Sequence, residues 1–239
     1  MNSDVILKKM DEVVDAHVGR VRLFTEPMTP GRARTFVKQH RMNTRQRNSV
    51  LKLRVATNCP DWDTKIDIIK ACAQEIIADN EFAGGKPHWQ VIEEMGIAIG
   101  LTSAEIRATK PIPSTEIAWA AWEGLMSGRH WLEGIVANTC AERVNVPGYG
   151  TGAQREHGWS WVQRHQWAKL FGLKDEQLAF WSVHEQADVE HSDLGWKTVA
   201  RFAEQAKMEE AVIHACEINL RVWQLYFNGI ADAGDQLGA

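Results

Sequence analysis

The chain has 239 residues, 44% hydrophobic and 24% charged, which is the composition of an ordinary globular protein with room for one large, well-buried core. Its formal net charge of −4 gives no indication of a nucleic-acid partner, and no apolar run approaches the ~20 residues of a membrane span. The first residues are charged and amphipathic, without the apolar centre of a signal peptide. The four cysteines form no C-x-x-C pair, which predicts reduced thiols in a cytoplasmic protein.

The hydrophobic pattern predicts helices almost throughout the first half and no strand of useful length. The first helix runs over 2–17 and the second over 32–56. A third starts near Asp61, and glycine and proline at 84–87 break it, so that His88 opens a fourth. The third helix carries an apolar stripe that is expected to face the core: Ile66, Ile69, Ala73, Ile76 and Ile77.

The second half of the chain continues the helical pattern. A short turn is expected over 103–109, and the later helices are predicted over 114–144, 159–171, from Asp175 through Trp196, and over 208–230. The tail, 231–239, is predicted to be disordered. The fold class is therefore all-α, with seven to eight helices in a single domain over 1–239.

One stretch, Phe180–Trp196, concentrates residue types that bind metals. His184, Asp188 and His191 are spaced i, i+4 and i+7, so a helix places them within an arc of roughly 60° on one face. Two imidazoles and a carboxylate on one stripe form a ligand set for a first-row transition metal. Buried without a metal or polar partners, these groups would destabilise the core. By itself the stretch fits a mononuclear centre as well as half of a two-metal centre.

Three further residues could supply ligands from other helices. Glu142 ends a mostly apolar stripe of the predicted helix 114–144, although such a glutamate is also typical of a surface residue whose stem covers apolar area. Glu81 and His88 flank the break at 84–87, so a sharp turn would bring them together; the alternative is that both are solvated. A ferritin-like bundle is disfavoured, because it needs two Glu-x-x-His motifs and this chain has a single Asp-x-x-His.

Two compositional features bear on a substrate. Eleven tryptophans against two tyrosines indicate either a tryptophan-rich core or a pocket for a flat aromatic ligand. The second predicted helix is strongly basic, and most of its cations are expected to be solvated. One or two could face inward to bind a substrate carboxylate, and the sequence does not choose among four candidates: Arg41, Arg45, Lys52 and Arg54.

The chain resembles the heme-oxygenase-like diiron oxidases, relatives of the TenA and pyrroloquinoline-quinone synthase families. The resemblance covers roughly 27–196 and rests on six residues in the order found in that family: Glu81, His88, Glu142, His184, Asp188 and His191. The pattern departs from the family in the interval between Glu142 and His184, which is longer here. Because that interval is expected to shape the pocket, the resemblance does not transfer a substrate.

The resemblance implies a heme-oxygenase-like helical domain in which the six residues hold two Fe(II) ions, with O2 as co-substrate and no catalytic residue beyond the ligands. It also implies a small amino-acid substrate and a homodimer, without a nucleic-acid or membrane partner. Within this family, the length and tryptophan content look most like a nitrile synthase, which converts a brominated tryptophan to an indole-3-carbonitrile.

Three alternatives stay open. A metal-free enzyme of the TenA or quinone-synthase type would share the fold, a different diiron activity such as N-oxygenation or oxidative decarboxylation would share the ligands, and a non-catalytic helical binding protein would carry incidental histidines. The six matched positions favour the metal-dependent branch, because TenA relatives use a cysteine nucleophile and cofactor-free quinone synthases lack the full ligand set.

Overall fold

The computed structural model describes residues 1–237, and within that range all side chains except those of Glu190 and Leu194. Over these residues the protein is built from α-helices with one π-helical segment and one 3-10 turn, and it has no β-strand apart from a single isolated bridge. The all-α prediction is confirmed.

The helices differ widely in length. The N-terminal half contains α1 (Ser3–Val18), α2 (Arg22–Thr25), α3 (Pro30–Gln46), α4 (Leu53–Asn58), α5 (Trp62–Ile76), α6 (His88–Ala98) and α7 (Ser103–Ala108). The C-terminal half contains α8 (Pro113–Ser127), α9 (Trp131–Arg143), α10 (Gly152–His157), α11 (Trp159–Phe171), α12 (Ala179–Ala206) and α13 (Glu209–Gln236). The π-helical segment, Arg47–Lys52, joins α3 to α4, and the 3-10 turn, Asp175–Leu178, precedes α12.

The helix starts follow side-chain caps. Asn2, Thr29 and Asp61 each accept a hydrogen bond from a backbone N–H in the first turn of α1, α3 and α5. Such caps satisfy backbone donors that have no partner within the helix. The third helix was expected to start near Asp61, and α5 begins at the next residue; α1 begins at Ser3, one residue after the predicted start, because Asn2 is its cap.

The long helix predicted over 114–144 is two helices. α8 ends at Ser127 with Gly128 at its C-terminus, and α9 starts anew at Trp131. His130 caps the second helix, since its Nδ1 accepts the Leu132 N–H at 3.3 Å. The polar run 127–130, which includes Gly128, marks this break in the sequence, and the prediction of one helix passed over it.

The last helix is longer than the sequence predicted, because α13 continues to Gln236 and thus through most of the tail expected to be disordered. Its end is fixed by contacts with α3. Arg32 Nε donates to Asp235 Oδ1 at 2.6 Å, and a Cβ on Gly234 would lie 2.5 Å from the Arg32 Cα. Glycine at 234 therefore permits the close approach that the ion pair secures. Residues 238 and 239 lie outside the described residues.

The core forms where the two longest helices, α12 and α13, pack against α9 and α3. Its largest fully buried side chains include Trp122, Trp167 and Trp196, so much of the tryptophan content is core. α12 approaches α9 closely at Gly195, where a Cβ would lie 2.5 Å from Thr139 Oγ1. This packing places His184 and Asp188 of α12, two of the predicted metal ligands, in the interior.

Two expectations about the chain's surroundings have structural counterparts. The four cysteines are buried and free, as predicted for reduced thiols: Cys59, Cys72, Cys140 and Cys216. Among residues 1–237, no helix combines the length and the apolar character needed to cross a bilayer.

Candidate metal centre

Three side chains from three helices come close together inside the protein: Glu75 from the last turn of α5, His88 from the start of α6, and His184 from α12. One potential ligand atom from each lies within 4.8 Å of those of the other two. The His88 and His184 ring centroids are 5.0 Å apart. His88 is 2% exposed, so the cluster lies inside the protein rather than on its surface.

The turn between α5 and α6 places His88 in this cluster. Asp79 and Lys86 form an isolated antiparallel bridge, and Gly84 and Gly85 at its tip have φ of +60° and +84°. Only glycine adopts such angles readily, so the two glycines fold the chain back towards α6. The helix itself has ended earlier than the sequence predicted, at Ile76 rather than near 84. Asp79 Oδ1 accepts two backbone N–H groups of the turn, and its Oδ2 is free to reach the His88 ring.

Hydrogen bonds fix which ring nitrogen of each histidine is available. His88 Nε2–H donates to Asp79 Oδ2 at 2.9 Å, and His184 Nδ1–H donates to the Phe180 carbonyl at 2.7 Å. The opposite nitrogens, Nδ1 of His88 and Nε2 of His184, are thereby left as ligand atoms. A carboxylate or carbonyl that holds the far nitrogen of a histidine is the usual support of a metal ligand.

The charges of the cluster balance one another through His88. Burial disfavours the charged imidazole, but the carboxylates of Glu75 and Asp79 outweigh it and raise the pKa of His88 to about 9. Burial likewise opposes the Glu75 carboxylate, yet the His88 charge holds the pKa of Glu75 well below its usual value. His184 behaves oppositely, because burial and the charge of His88 lower its pKa to about 4. The metal-free cluster therefore holds one proton that a cation would displace.

The cluster fits a first-row metal ion such as iron. His88 Nδ1 is buried without a hydrogen-bond partner, since its 3.2 Å contact with Glu75 Oε2 lacks hydrogen-bond geometry. An unpartnered buried nitrogen beside a carboxylate and a second imidazole is a site for a ligated cation. Two imidazoles and one carboxylate form a donor set suited to Fe(II), among other first-row ions.

Glu142 and Asp188 lie near this cluster but have partners of their own. The Lys52 ammonium is 3.4 Å from Glu142 Oε1, in a pair that is almost entirely buried. Asn145 Nδ2 donates to Asp188 Oδ2 at 2.5 Å. Burial, reinforced by the charge of Glu142, raises the pKa of Asp188 well above its usual value. Without a metal, these two predicted ligands are thus held by an ammonium and an amide.

His191 does not line the cavity that contains His184 and Asp188. A second cavity is lined by His191, Lys52 and Glu142, among others. Glu142 also lines the main cavity, which contains His184 and Asp188, and so stands between the two spaces. The ring of His191 is 6.2 Å from the ring of Phe82, edge to face.

Glu81 is exposed on the turn next to Phe82 and does not join the three-residue cluster. The structure thus brings together two of the six predicted ligands, His88 and His184, places Glu142 and Asp188 beside them and His191 in the second cavity. The assignment of these residues as metal ligands stays a prediction.

Glu75 was missed in the sequence because α5 was assigned the wrong face. Two residues of its apolar stripe, Ile69 and Ile77, are 42% and 70% exposed, whereas Cys72 is buried. The inward side of this segment contains Cys72 and Glu75 in α5, and Asp79 in the turn after the helix, four residues beyond Glu75. A carboxylate pair at this spacing just before a histidine was the available signal.

The main cavity, about 100 Å³, joins this cluster to an aromatic surface. Glu75, Glu142, Asp188 and His184 form what we call the acidic wall. The aromatic wall consists of Phe24, Phe36, Trp159, Trp181, Trp223 and Phe227. Its rings are in mutual contact, with Phe24 4.6 Å from Trp159 and Phe36 stacked on Trp181 at 5.2 Å between centroids.

Family comparisons agree with this geometry. The model of the iron-containing redox enzyme family matches residues 34–224. The chain belongs to this family. That range includes every residue of the Glu75–His88–His184 cluster, and the family assignment makes iron the metal expected there.

Individual relatives are more distant. A 4-aminobenzoate synthase from Nitrosomonas europaea is 26% identical over 151 residues, covering 60% of this chain and 57% of the relative. The chain therefore matches little more than half the length of that protein. A domain of unknown function with a heme oxygenase-like fold from Shewanella denitrificans aligns over 99% of this chain and 94% of its own, with a TM-score of 0.71 and 13% identity.

Two further solved structures share the fold. A CADD-like protein of unknown function from Nostoc punctiforme covers 96% of this chain and 97% of its own, at a TM-score of 0.70 and 13% identity. A TenA homologue from P. horikoshii covers 95% and 98%, at 0.57 and 11%. At these identities the likeness establishes the heme-oxygenase-like fold and nothing about substrates.

Proposed function

We propose that the chain is a non-heme diiron oxidase that uses O2 to oxidise a small amino acid with an aromatic side chain. The observation that carries the proposal is the main cavity, in which Glu75 and His184 of the metal-binding cluster share one space with the aromatic wall. A metal cluster alone would suit many redox reactions. An aromatic wall beside it selects a substrate with a flat apolar group.

Iron, when bound, supplies the activation of O2 and the acceptance of electrons from the substrate. The chain's own residues supply the rest. Asp79 orients the His88 ring, and Lys52 and Asn145 hold Glu142 and Asp188 until a cation replaces their contacts. The aromatic wall excludes water from the space where the substrate side chain is placed.

The more specific form of the proposal is a nitrile synthase that converts tryptophan, or a brominated tryptophan, to an indole-3-carbonitrile. It is supported by the resemblance in length and tryptophan content and by the three indoles of the aromatic wall, Trp159, Trp181 and Trp223. The homodimer is part of the same proposal and is tested by sedimentation. The match to a 4-aminobenzoate synthase gives a second candidate product, 4-aminobenzoate.

The test is an anaerobic Fe(II) titration followed by O2-consumption assays. We expect two equivalents of iron, and a loss of binding by about 100-fold or more in His184→Ala. His165→Ala is the matched control, because His165 is exposed on α11 and its Nδ1 bonds only the Trp161 carbonyl. Failure to bind iron would instead favour a metal-free enzyme on this fold.

The substrate is tested with the iron-loaded protein. We expect tryptophan or a ring-brominated tryptophan to stimulate O2 consumption, and mass spectrometry to detect the carbonitrile. Stimulation by neither compound removes the nitrile proposal and leaves the diiron proposal intact. Detection of 4-aminobenzoate in the same assay would support the second candidate.

A further inference from the structure

The basic segment 41–54 has four cations whose charges are already engaged outside the main cavity or by the acidic wall. Arg41 Nε is 3.2 Å from Glu93 Oε2, and Lys52 is paired with Glu142. Arg54 forms an exposed pair with Glu123. Arg45 is exposed and lies over the Trp89 ring at 5.5 Å. These are the four candidates that the sequence offered for binding a substrate carboxylate, and each has another role.

Arg47 is different, although the sequence did not single it out. It is 6% exposed, it lines the main cavity, and among the described residues no acidic side chain lies within ion-pair distance of its guanidinium. One of its nitrogens, Nη2, donates to the Ala137 carbonyl at 2.8 Å, while Nε is buried without a partner. A buried arginine without a contacting carboxylate is costly, since burial lowers the pKa of Arg47 and the more distant charges of Glu142 and Glu75 only partly oppose that effect.

The backbone and two indoles hold this guanidinium in place. Arg47 begins the π-helical segment, and π-helical turns inside α-helices are frequent at functional sites. Its guanidinium carbon lies 5.0 Å from the Trp223 ring centroid and 5.5 Å from that of Trp122. Contacts with aromatic faces position the cation and leave its N–H donors available, because they engage the plane of the group and not its edge.

We propose that Arg47 binds the carboxylate of the substrate, so that the main cavity accepts an aromatic carboxylic acid. This inference rests on the proposed function insofar as the acid is an amino acid. A guanidinium fork matches a carboxylate with two parallel hydrogen bonds, and the substrate would provide the contacting carboxylate that the protein does not. Asn48, the next residue, also lines the cavity and has its buried Oδ1 without a partner, as expected where a polar ligand enters.

The alternative role for Arg47 is structural. It ties the π-helical segment to α9 through the Ala137 carbonyl and packs between two indoles, and both contacts would be lost on substitution. The two roles differ in one respect. A structural arginine affects all ligands of the cavity alike, whereas a carboxylate-binding arginine affects only ligands that carry a carboxylate.

The test measures binding to the anaerobic, iron-loaded protein by calorimetry with three indoles. L-Tryptophan carries a carboxylate and an amine, indole-3-propionate only the carboxylate, and tryptamine only the amine. In Arg47→Met we expect the dissociation constants of both carboxylates to rise about tenfold or more, with that of tryptamine changed by less than about twofold. Arg45→Met is the matched control: it removes the same charge two residues away and should leave all three constants unchanged.

A second variant guards against loss of structure. Arg47→Lys keeps the charge but lacks the planar fork, so it should bind the carboxylates with intermediate affinity. The iron content and melting temperature of both variants are compared with those of the wild type. Equal losses for tryptamine and the carboxylates, unchanged carboxylate binding, or a wild type that binds neither carboxylate at millimolar concentration would each overturn the inference.

The outcome is separable from the proposed function. If indole-3-propionate binding depends on Arg47 while no tryptophan stimulates O2 consumption, the carboxylate site stands and the nitrile reaction falls. If tryptophan is oxidised and Arg47→Met leaves its binding and KM unchanged, the reaction stands and the carboxylate site falls.

Discussion

The acidic and aromatic walls of the main cavity bury polar groups in opposite ways. Behind the acidic wall, charges compensate one another: the pKa of His88, which contacts Glu75 of that wall, is raised to about 9 against the effect of burial, because Glu75 and Asp79 are beside it. On the aromatic side, His17 and His40 have no such partners, and burial first of all lowers their pKa values to about 4 and about 3. One wall keeps charged carboxylates and a charged imidazole in the interior, whereas the histidines beside the other stay neutral.

This difference shows where a cation can bind. Three groups that contact the acidic wall already take the place of a cation: the proton on His88, the ammonium of Lys52 and the amide of Asn145. An iron ion would replace contacts that exist, with little new burial of charge. The aromatic wall has no carboxylate to compensate a cation, and thus suits the apolar part of a substrate.

The strongest test of this comparison is to remove the Lys52 ammonium. Lys52→Met leaves Glu142 buried and unpaired, so we expect the metal-free protein to lose about 3–5 kcal/mol of unfolding free energy in urea. If Glu142 is an iron ligand, as predicted, iron should offset a large part of that loss. Arg54→Met is the control, because its pair with Glu123 is exposed and should cost less than about 1 kcal/mol. If the loss of unfolding free energy were the same with and without iron, Glu142 would not be an iron ligand.

The acidic wall also shows how far the sequence could lead. The spacing of His184, Asp188 and His191 placed them on one helix and predicted a metal site, because helical periodicity depends only on local geometry. The same reasoning failed for α5, whose exposed apolar residues mimic a core face. Which face of a short amphipathic helix is buried depends on its neighbours, and these are contributed by residues distant in the chain.

Two other features were missed in the sequence. The break between α8 and α9 falls in the polar run 127–130, which the helix predicted over 114–144 spanned without a stop. Arg47 stands among many cations of one segment, and only the packing of Trp122, Trp223 and Ala137 around it distinguishes it from the rest. That no carboxylate contacts the Arg47 guanidinium depends on tertiary packing, so it can be seen only in the folded chain.

A second prediction compares the two carboxylates that flank the α5–α6 turn. Glu75 contacts His88 in the structure, whereas Glu81 is exposed but occupies the position predicted by family resemblance. We expect Glu75→Ala to weaken iron binding by about 10- to 100-fold, and Glu81→Ala to weaken it less. Iron content and titration of the two variants measure this directly. A larger loss in Glu81→Ala would mean that the turn rearranges to bring Glu81 to the iron.

The smallest predicted effect concerns the aromatic side and pH. Burial, assisted by the charges of Arg20 and Arg221, lowers the pKa of His17 from 6.5 to about 4, so the folded state resists its protonation. Between these values the unfolded chain binds more protons. The contribution of His17 to stability is therefore complete above pH 6.5 and is lost as the pH falls towards 4.

The difference between wild type and His17→Gln isolates this contribution from the other titrating groups. Between pH 7.5 and 5.5 we expect the wild type to lose about 1.4 kcal/mol more unfolding free energy than the variant, one pKa unit's worth of interaction. Because His17 is not part of the acidic wall, iron should leave this difference unchanged, although it changes the response to Lys52→Met. An iron-dependent difference at His17 would mean that the two walls do not titrate independently, and the division of the cavity would have to be abandoned.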